Sequence, residues 1–377
     1  MRRVAIVTDW FAPRQGGIET QLAELARRLA GAGADVGVIT ATPGPTMGDG
    51  YDVHRLDVLT LPAPPLAISP MLIPRLREAL SRGWDLVHAH VSVVSPVGWT
   101  GALVARSLGL PVAVTFHSVL RGKAVLLRLA SALTPLATSR VAWSAVSRLV
   151  AEQARWGIGA GAEVNALPNG LDLSFWNVPR LGVASRVTLV SAMRLHRKKR
   201  GRQLLRAYAT AARRVKVPVR MVIVGDGPER EGLLGEITML GLRSGTATAE
   251  IRGWLRAAEL RQLYAESHGF VMASVHEAFG IAALEARAAG LPVIARRSGN
   301  TEFLEHDVNA LLANDDAGLA EAIASFIEDP ALRSRLASGA SDLSRFDWPA
   351  VIDAHLREYE RAIRISATPA PAVAASA

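Results

Sequence analysis

The stretch HEAFGIAALEARAAGLPVIA, residues 276–295, sets two glutamates, Glu277 and Glu285, eight positions apart around a Phe-Gly-Ile step. Before it, GFVMAS (269–274) is short and apolar and predicts a buried strand that runs into the SVHEAFG loop. A helix is expected to start near Gly280 or Ile281, with Leu284 and Ala288 on its buried side. Gly290 then fits its C-terminal cap, with Pro292 soon after. Glu277 is thus a loop residue at the mouth of a sheet, and Glu285 lies just over a turn into the helix. Helical side chains lean towards their own N-terminus, so Glu285 can reach back to the helix start. Between the two, the backbone N–H groups around Phe279, Gly280 and Ile281 are candidates to hold a phosphate, because the first amides of a helix have no partner within it. One carboxylate would then meet a neutral hydroxyl-bearing group beyond the phosphates, the other a ribose. The plainer alternative is a pair of solvated acids favoured by the helix dipole.

Strand, helix, strand recurs on either side of this stretch. VAIVT (4–8), VGVIT (36–40), DLVHAH (85–90) and PVAVTF (111–116) read as buried parallel strands. Between the first two, Leu22, Leu25 and Leu29 recur at helical spacing, with Gly31 and Gly33 closing the helix. A second series, VTLVSA (187–192), VRMVIVG (219–225), GFVMAS and PVIA (292–295), follows the Gly/Pro/Asn-rich segment LPNGLDLSFWNVPRLG. RQLLRAYATAARR and AAELRQLYAES are the helices expected within it. Two Rossmann-like halves joined by a linker form a cleft, a common place for a ligand.

At 377 residues, the chain has length for two domains with real cores. No run of ~20 apolar residues offers a transmembrane helix. The apolar start of MRRVAIVTDWF ends at Asp9 with no small-residue cleavage site after it, so it is read as a first strand and not a signal peptide. The absence of cysteine excludes disulfides and thiolate metal sites, and it favours a reducing compartment. Lys and Arg total 43 against 34 Asp and Glu. The excess concentrates where no acid occurs between Asp172 and Asp226, at Arg194, Arg197, Lys198, Lys199, Arg200, Arg202 and Arg206. Such a block attracts phosphate as nucleotide, nucleic acid or anionic lipid, or is a solvated helix face.

Taken together, E-A-F-G-I-A-A-L-E-A-R-A-A-G-L-P-V-I-A resembles the E-x7-E region of the retaining, nucleotide-sugar-dependent glycosyltransferases of the GT4 group. The resemblance implies the α/β GT-B fold: two Rossmann-like domains facing across a cleft, with a C-terminal helix crossing back to the first. It extends over nearly the whole chain. P-R-Q-G-G-I-E-T resembles the family's Gly-Gly loop, placing Gly16 and Gly17 where backbone approaches the diphosphate. S-A-M-R-L-H-R-K-K-R-G is similar to its Arg-plus-Lys element, with Arg194 and Lys199 gripping the diphosphate. The family usually has Gly directly after that Lys; here Arg200 intervenes, which leaves Lys198 as the lesser candidate. V-T-F-H-S implies that His117 stands by the donor sugar, and I-R-G-W-L that backbone around Arg252 and Gly253 flanks the base. Glu277 is implied to steady the sugar and its developing positive charge, and Glu285 to hold the ribose. S-G-N-T-E-F-L departs from the family's G-G-x-x-E form at Asn300, so Glu302 is held loosely. His88 and His90 share one strand face, yet no third ligand of convincing spacing accompanies them; His90 is expected at most to line the acceptor pocket.

The expected organisation is an acceptor-binding domain over 1–178, a nucleotide-sugar-binding domain over 179–345, a returning helix over 346–366 and a disordered tail over 367–377. The expected reaction moves a hexose-type sugar from UDP or GDP to an acceptor hydroxyl with retention. No cofactor and no metal are expected: there is no D-x-D pair, and Arg194, Lys199 and two helix N-termini could meet the growing charge of the diphosphate. A nucleotide-sugar epimerase and, more remotely, a nucleic-acid-binding protein are the alternatives, although the basic block lacks interleaved aromatics and no nucleic-acid partner is expected. The acceptor is expected to be lipid-linked or a small molecule. SVLRGKAVLLRLASAL (118–133) borders leucines with Arg121, Lys123 and Arg128, either to rest on an anionic membrane or to pack into a core. The expected location is cytoplasmic, with the inner face of the cell membrane as the place for any such contact.

Overall fold

The computed structural model describes residues 2–61, 67–120, 122, 124–125, 127–128, 140–159, 161–179, 186–297, 302–339 and 341–367. Arg121, Lys123 and most of 118–133 beyond Arg128 lie outside these residues, as do residues 298–301 and, apart from Ala367, the expected tail. Two compact units divide the chain: residues up to Gly170 together with the C-terminal helix Trp348–Ala367, and Leu171–Asp347.

The first unit is a seven-stranded parallel sheet in the order β3-β2-β1-β4-β5-β6-β7. Its strands are β1 (Arg3–Thr8), β2 (Asp35–Thr40), β3 (Asp52–Arg55), β4 (Leu86–Val91), β5 (Val112–Phe116), β6 (Val141–Ala145) and β7 (Val164–Ala166). A parallel sheet covered on both faces needs strands apolar throughout, and every residue of β4 and β5 is buried, His88 and His90 included. The helix Gly17–Gly31 buries Leu22, Leu25 and Leu29, each worth about 1.5–3 kcal/mol of transfer free energy. The returning helix Trp348–Ala367 lays Trp348, Val351, Ile352, Tyr359 and Ala362 into the same core as Leu22 and Leu25. Arg361 adds a hydrogen bond from Nη2 to the Trp143 carbonyl at 2.8 Å.

The second unit is a six-stranded parallel sheet in the order β10-β9-β8-β11-β12-β13. It comprises β8 (Val187–Ala192), β9 (Val219–Val224), β10 (Ala247–Ile251), β11 (Gly269–Met272), β12 (Val293–Arg296) and β13 (Ala310–Ala313). From β8 the chain winds one way to β9 and β10, and from β11 the other way to β12 and β13. The crevice outside the carboxyl ends of β8 and β11 is therefore a topological switch point, the usual ligand position in a doubly wound sheet. Leu204, Leu205, Tyr208, Leu319, Ile323 and Phe326 join the strands in one core cluster. Among the described residues, no helix is long and apolar enough to cross a membrane.

Beyond the strand ends, the backbone of the second unit stays zipped. Met193 N–H donates to the Val224 carbonyl at 3.0 Å, Leu195 N–H to Asp226 at 2.9 Å, and Gly225 N–H to Gly253 at 2.7 Å. This contact is close because Gly225 has no side chain: with φ of +131°, a Cβ there would meet the Met193 carbonyl oxygen at 1.9 Å. Gly225→Ala should therefore destabilise the protein by more than about 2 kcal/mol, from positive-φ strain plus the clash. Gly235, exposed within the helix Arg230–Met239 with nothing near its missing Cβ, should gain about 0.5–1 kcal/mol on Gly235→Ala. Urea unfolding of the two variants should give shifts of opposite sign.

Candidate active site

In the second unit, the chain leaves β8 carrying the cations. Arg194 is exposed, and its guanidinium has no acidic partner among the described residues. A single 3-10 turn, Arg197–Lys199, follows and is capped by His196. It places Lys199 so that Nζ meets Glu277 Oε1 at 2.6 Å, with the lysine side chain 34% exposed and the glutamate 10%. Arg200 takes the left-handed conformation, φ 60° and ψ 40°, which a glycine would adopt freely. Its guanidinium donates to Asp316 at 2.5 Å, and Arg296 binds the same carboxylate. The family's usual glycine is thus replaced by an arginine held in the glycine conformation, and Lys199, not Lys198, carries the ion pair. Lys198 and Arg197 are exposed, with no acidic partner among the described residues. Arg202 and Arg206 pair with Glu236, and Arg202 also with Glu229. Part of the basic block is therefore paired with acids from separate elements, while Arg194, Arg197 and Lys198 stay exposed.

From β11 the chain delivers the two glutamates. Glu277 lies in the loop, and the helix Ile281–Ala288 starts after Gly280, whose φ is +85°. Leu284 is buried, whereas Ala288, expected beside it, is only half-buried; Ala283, Ala286 and Arg287 complete the buried face. Arg287 reaches its carbonyl partners at Leu291 and Gly339 from inside the protein. Phe279 is a core side chain against Phe303 and Phe346, at centroid distances of 6.2 and 5.6 Å, so only its backbone can face a ligand. The amides of Phe279, Gly280 and Ile281 donate to no group among the described residues. Glu285 sits a little over a turn in. It keeps some solvent contact, but the apolar surroundings push its carboxyl up to about 8. At the end of the edge strand β10, Gly253 has φ +73°, and Arg252 donates its backbone N–H to Ile223 and its side chain to Glu250. Glu302 pairs with Arg345 at 3.5 Å.

In the first unit, Gly16 precedes the helix Gly17–Gly31, and the space its Cβ would fill is taken by the Glu19 carboxylate, 2.2 Å away. Glu19 is buried and paired with Arg14 at 3.1 Å. His117 follows β5, with its N–H bonded to the Val91 carbonyl at 2.8 Å and its Nε2 2.8 Å from His90 Nδ1. Burial pushes the His117 pKa down to about 3 and that of His90 well below the ordinary value, so both rings are neutral. His88 spends both ring nitrogens on Tyr359 and Thr115, at 3.0 and 2.7 Å. No cluster of three His, Cys, Asp or Glu that could hold a metal occurs among the described residues. His355 and Tyr359, on the returning helix, join these histidines without any local signal in the sequence. No spacing rule connects residues so distant in the chain.

Sequence models of two glycosyltransferase families match the chain in succession. The one described as Glycosyltransferase Family 4 matches residues 15–175, and the one described as Glycosyl transferases group 1 matches residues 185–329, together more than half of the chain. The chain belongs to the GT4-type glycosyltransferases. This glycosyltransferase is 29% identical to a D-inositol 3-phosphate glycosyltransferase of Catenulispora acidiphila, over 92% of its own length and 91% of the relative's. It is 28% identical to a GDP-mannose-dependent alpha-mannosyltransferase of Mycobacterium tuberculosis, over 95% and 96%. Among solved structures, it is similar to Anabaena HepE in complex with UDP and glucose, with a TM-score of 0.75, 22% identity and coverage of 96% and 100%. The GT-B fold is thereby shown, and as a GT4-type enzyme the protein uses a nucleotide-sugar donor.

Glu285 gives the glycosyltransferase a measurable pH signature. Its carboxyl holds a proton in the folded state at pH values where the unfolded chain has released it. Stability is therefore expected to fall as pH rises from about 4.5 to about 8 and to level off above. Glu285→Gln should flatten that part of the profile. Denaturant midpoints of both proteins across this range provide the check, and parallel curves would assign the slope to another group.

Proposed function

We propose that this glycosyltransferase moves a hexose-type sugar from a UDP- or GDP-hexose to an acceptor hydroxyl with retention, without a metal ion. The observation that carries the proposal is the Lys199–Glu277 pair at the switch point of the second sheet, beside a helix start with unpaired amides. When the bond between sugar and nucleotide breaks, negative charge grows on the departing diphosphate. Arg194, Lys199 and the amides of Phe279, Gly280 and Ile281 are donors for that charge, and the amides, fixed in the backbone, need little reorganisation during the reaction. Glu277, oriented by Lys199, accepts from the sugar hydroxyls and lies close to the developing positive charge. Glu285 accepts from the ribose, and backbone at Arg252 and Gly253 flanks the base. In the first unit, His117 and the start of the helix after Gly16 and Gly17 serve the donor sugar and its phosphate.

The relatives support a polyol or lipid-linked acceptor: one is named for inositol 3-phosphate, another, from Mycobacterium leprae, for phosphatidyl-myo-inositol. A peripheral contact with anionic lipid fits the exposed Trp156 and Val125, with the Arg128 guanidinium 5.3 Å from the Trp156 ring.

Incubation of the purified protein with a panel of UDP- and GDP-hexoses, with and without chelator, is expected to give donor turnover in both conditions. Lys199→Ala should lower kcat by about a hundredfold, or about 3 kcal/mol of barrier, and Glu285→Ala should weaken nucleotide binding. Loss of all nucleotide binding on chelation would remove the metal-free mechanism. Unchanged kinetics in both variants would remove the site.

A further inference from the structure

Resting on the proposed role of His117 beside the donor sugar, we propose that His90 is a positioning residue that holds His117 in the tautomer with its proton on Nδ1. Three neighbouring histidines allow the protons to be placed by elimination. His355 Nδ1 lies 2.8 Å from the Val351 carbonyl oxygen, which can only accept, so His355 carries its proton there. Ser144 donates to the Val114 carbonyl at 3.2 Å, so the Thr115 hydroxyl, 2.7 Å away, donates to Ser144. Thr115 is then an acceptor for His88 Nε2–H at 2.7 Å, and Tyr359 donates its hydroxyl to His88 Nδ1 at 3.0 Å. The chain from Tyr359 to Val114 is complete, with one proton for each link.

His90 lies against this chain, its ring centroid 3.9 Å from that of His88. One of its nitrogens faces His117, and the other, Nε2, is sealed from solvent with no hydrogen-bond partner among the described residues. A neutral imidazole has one proton for two nitrogens. Placing it on Nε2 buries an N–H without an acceptor, the costlier kind of orphan; placing it on Nδ1 leaves only a lone pair unsatisfied. With the proton on Nδ1, His90 donates to His117 Nε2 across the 2.8 Å contact. His117 must then carry its own proton on Nδ1. That atom has no partner among the described residues and is not among the sealed ones, so it can donate to an oxygen-rich ligand. His90 would touch no substrate atom and would act only by deciding which edge of His117 donates.

The test reads the tautomer directly. In the full-length protein labelled with 15N-histidine, long-range couplings should show His117 protonated at Nδ1 and bare at Nε2, its signals assigned by difference against His117→Asn. His90→Asn, which can present an amide N–H near the position of Nδ1, should keep that tautomer and kcat within about threefold of the parent. His90→Phe should let His117 redistribute its proton and should lower kcat by about tenfold or more, with donor KM little changed. A wild-type His117 protonated at Nε2 overturns the proposal, as does a His90→Phe variant with unaltered tautomer and kcat. Should His90→Phe not fold, the wild-type spectrum alone decides. The spectrum is readable in a protein with no transferase activity, so failure of the functional proposal and failure of this one are told apart.

Discussion

Lys199 and Glu277 are far apart in the chain, yet their side chains meet at 2.6 Å because β8 and β11 are neighbours in the sheet while their following segments wind away in opposite directions. A parallel sheet can place two loops side by side at one edge only where its order reverses, and this ion pair spans that reversal. A carboxylate as buried as Glu277 is costly without a hydrogen-bonded partner. A lysine five residues after Arg194 supplies it while staying a third exposed, with donor capacity left for a ligand. Two features shape the segment that carries Lys199: Gly225, which lets the end of β9 approach the Met193 carbonyl, and Arg200 in its left-handed turn.

Much of this was legible in the sequence. The glutamate spacing, the Gly280 helix start and the Gly290 stop are local signals, and local signals survive folding. Strands β1, β2, β4, β5, β8, β9, β11 and β12 have enough β-branched or aliphatic residues to be recognised. The strands β3, β6, β7, β10 and β13 are short or mixed in composition and give little periodicity to read. Ala288 lies half-buried at the edge of the buried face, because periodicity gives a stripe and not its edges.

What stayed hidden is long-range. Nothing in H-A-H tells that His88 answers to Tyr359 near the end of the chain, or that His90 answers to His117 on the next strand. Along the sequence the basic block is a field of charge, but acids from separate elements, Glu229, Glu236 and Asp316, neutralise part of it. Charge counted along a chain is a sum over sequence, whereas the potential a ligand meets is a sum over space.

The returning helix has a consequence for how the molecule is made. Trp348, Val351 and Tyr359 belong to the core built by β1, β4 and the helix Gly17–Gly31, so that core lacks a wall until the ribosome has synthesised residues 348–367. The unit Leu171–Asp347 is continuous and leaves the exit tunnel with all of its own core. Vectorial synthesis therefore reverses the expected order. The middle of the chain can close first, while the earlier-made N-terminal strands wait with an apolar flank uncovered, a natural client for a holding chaperone.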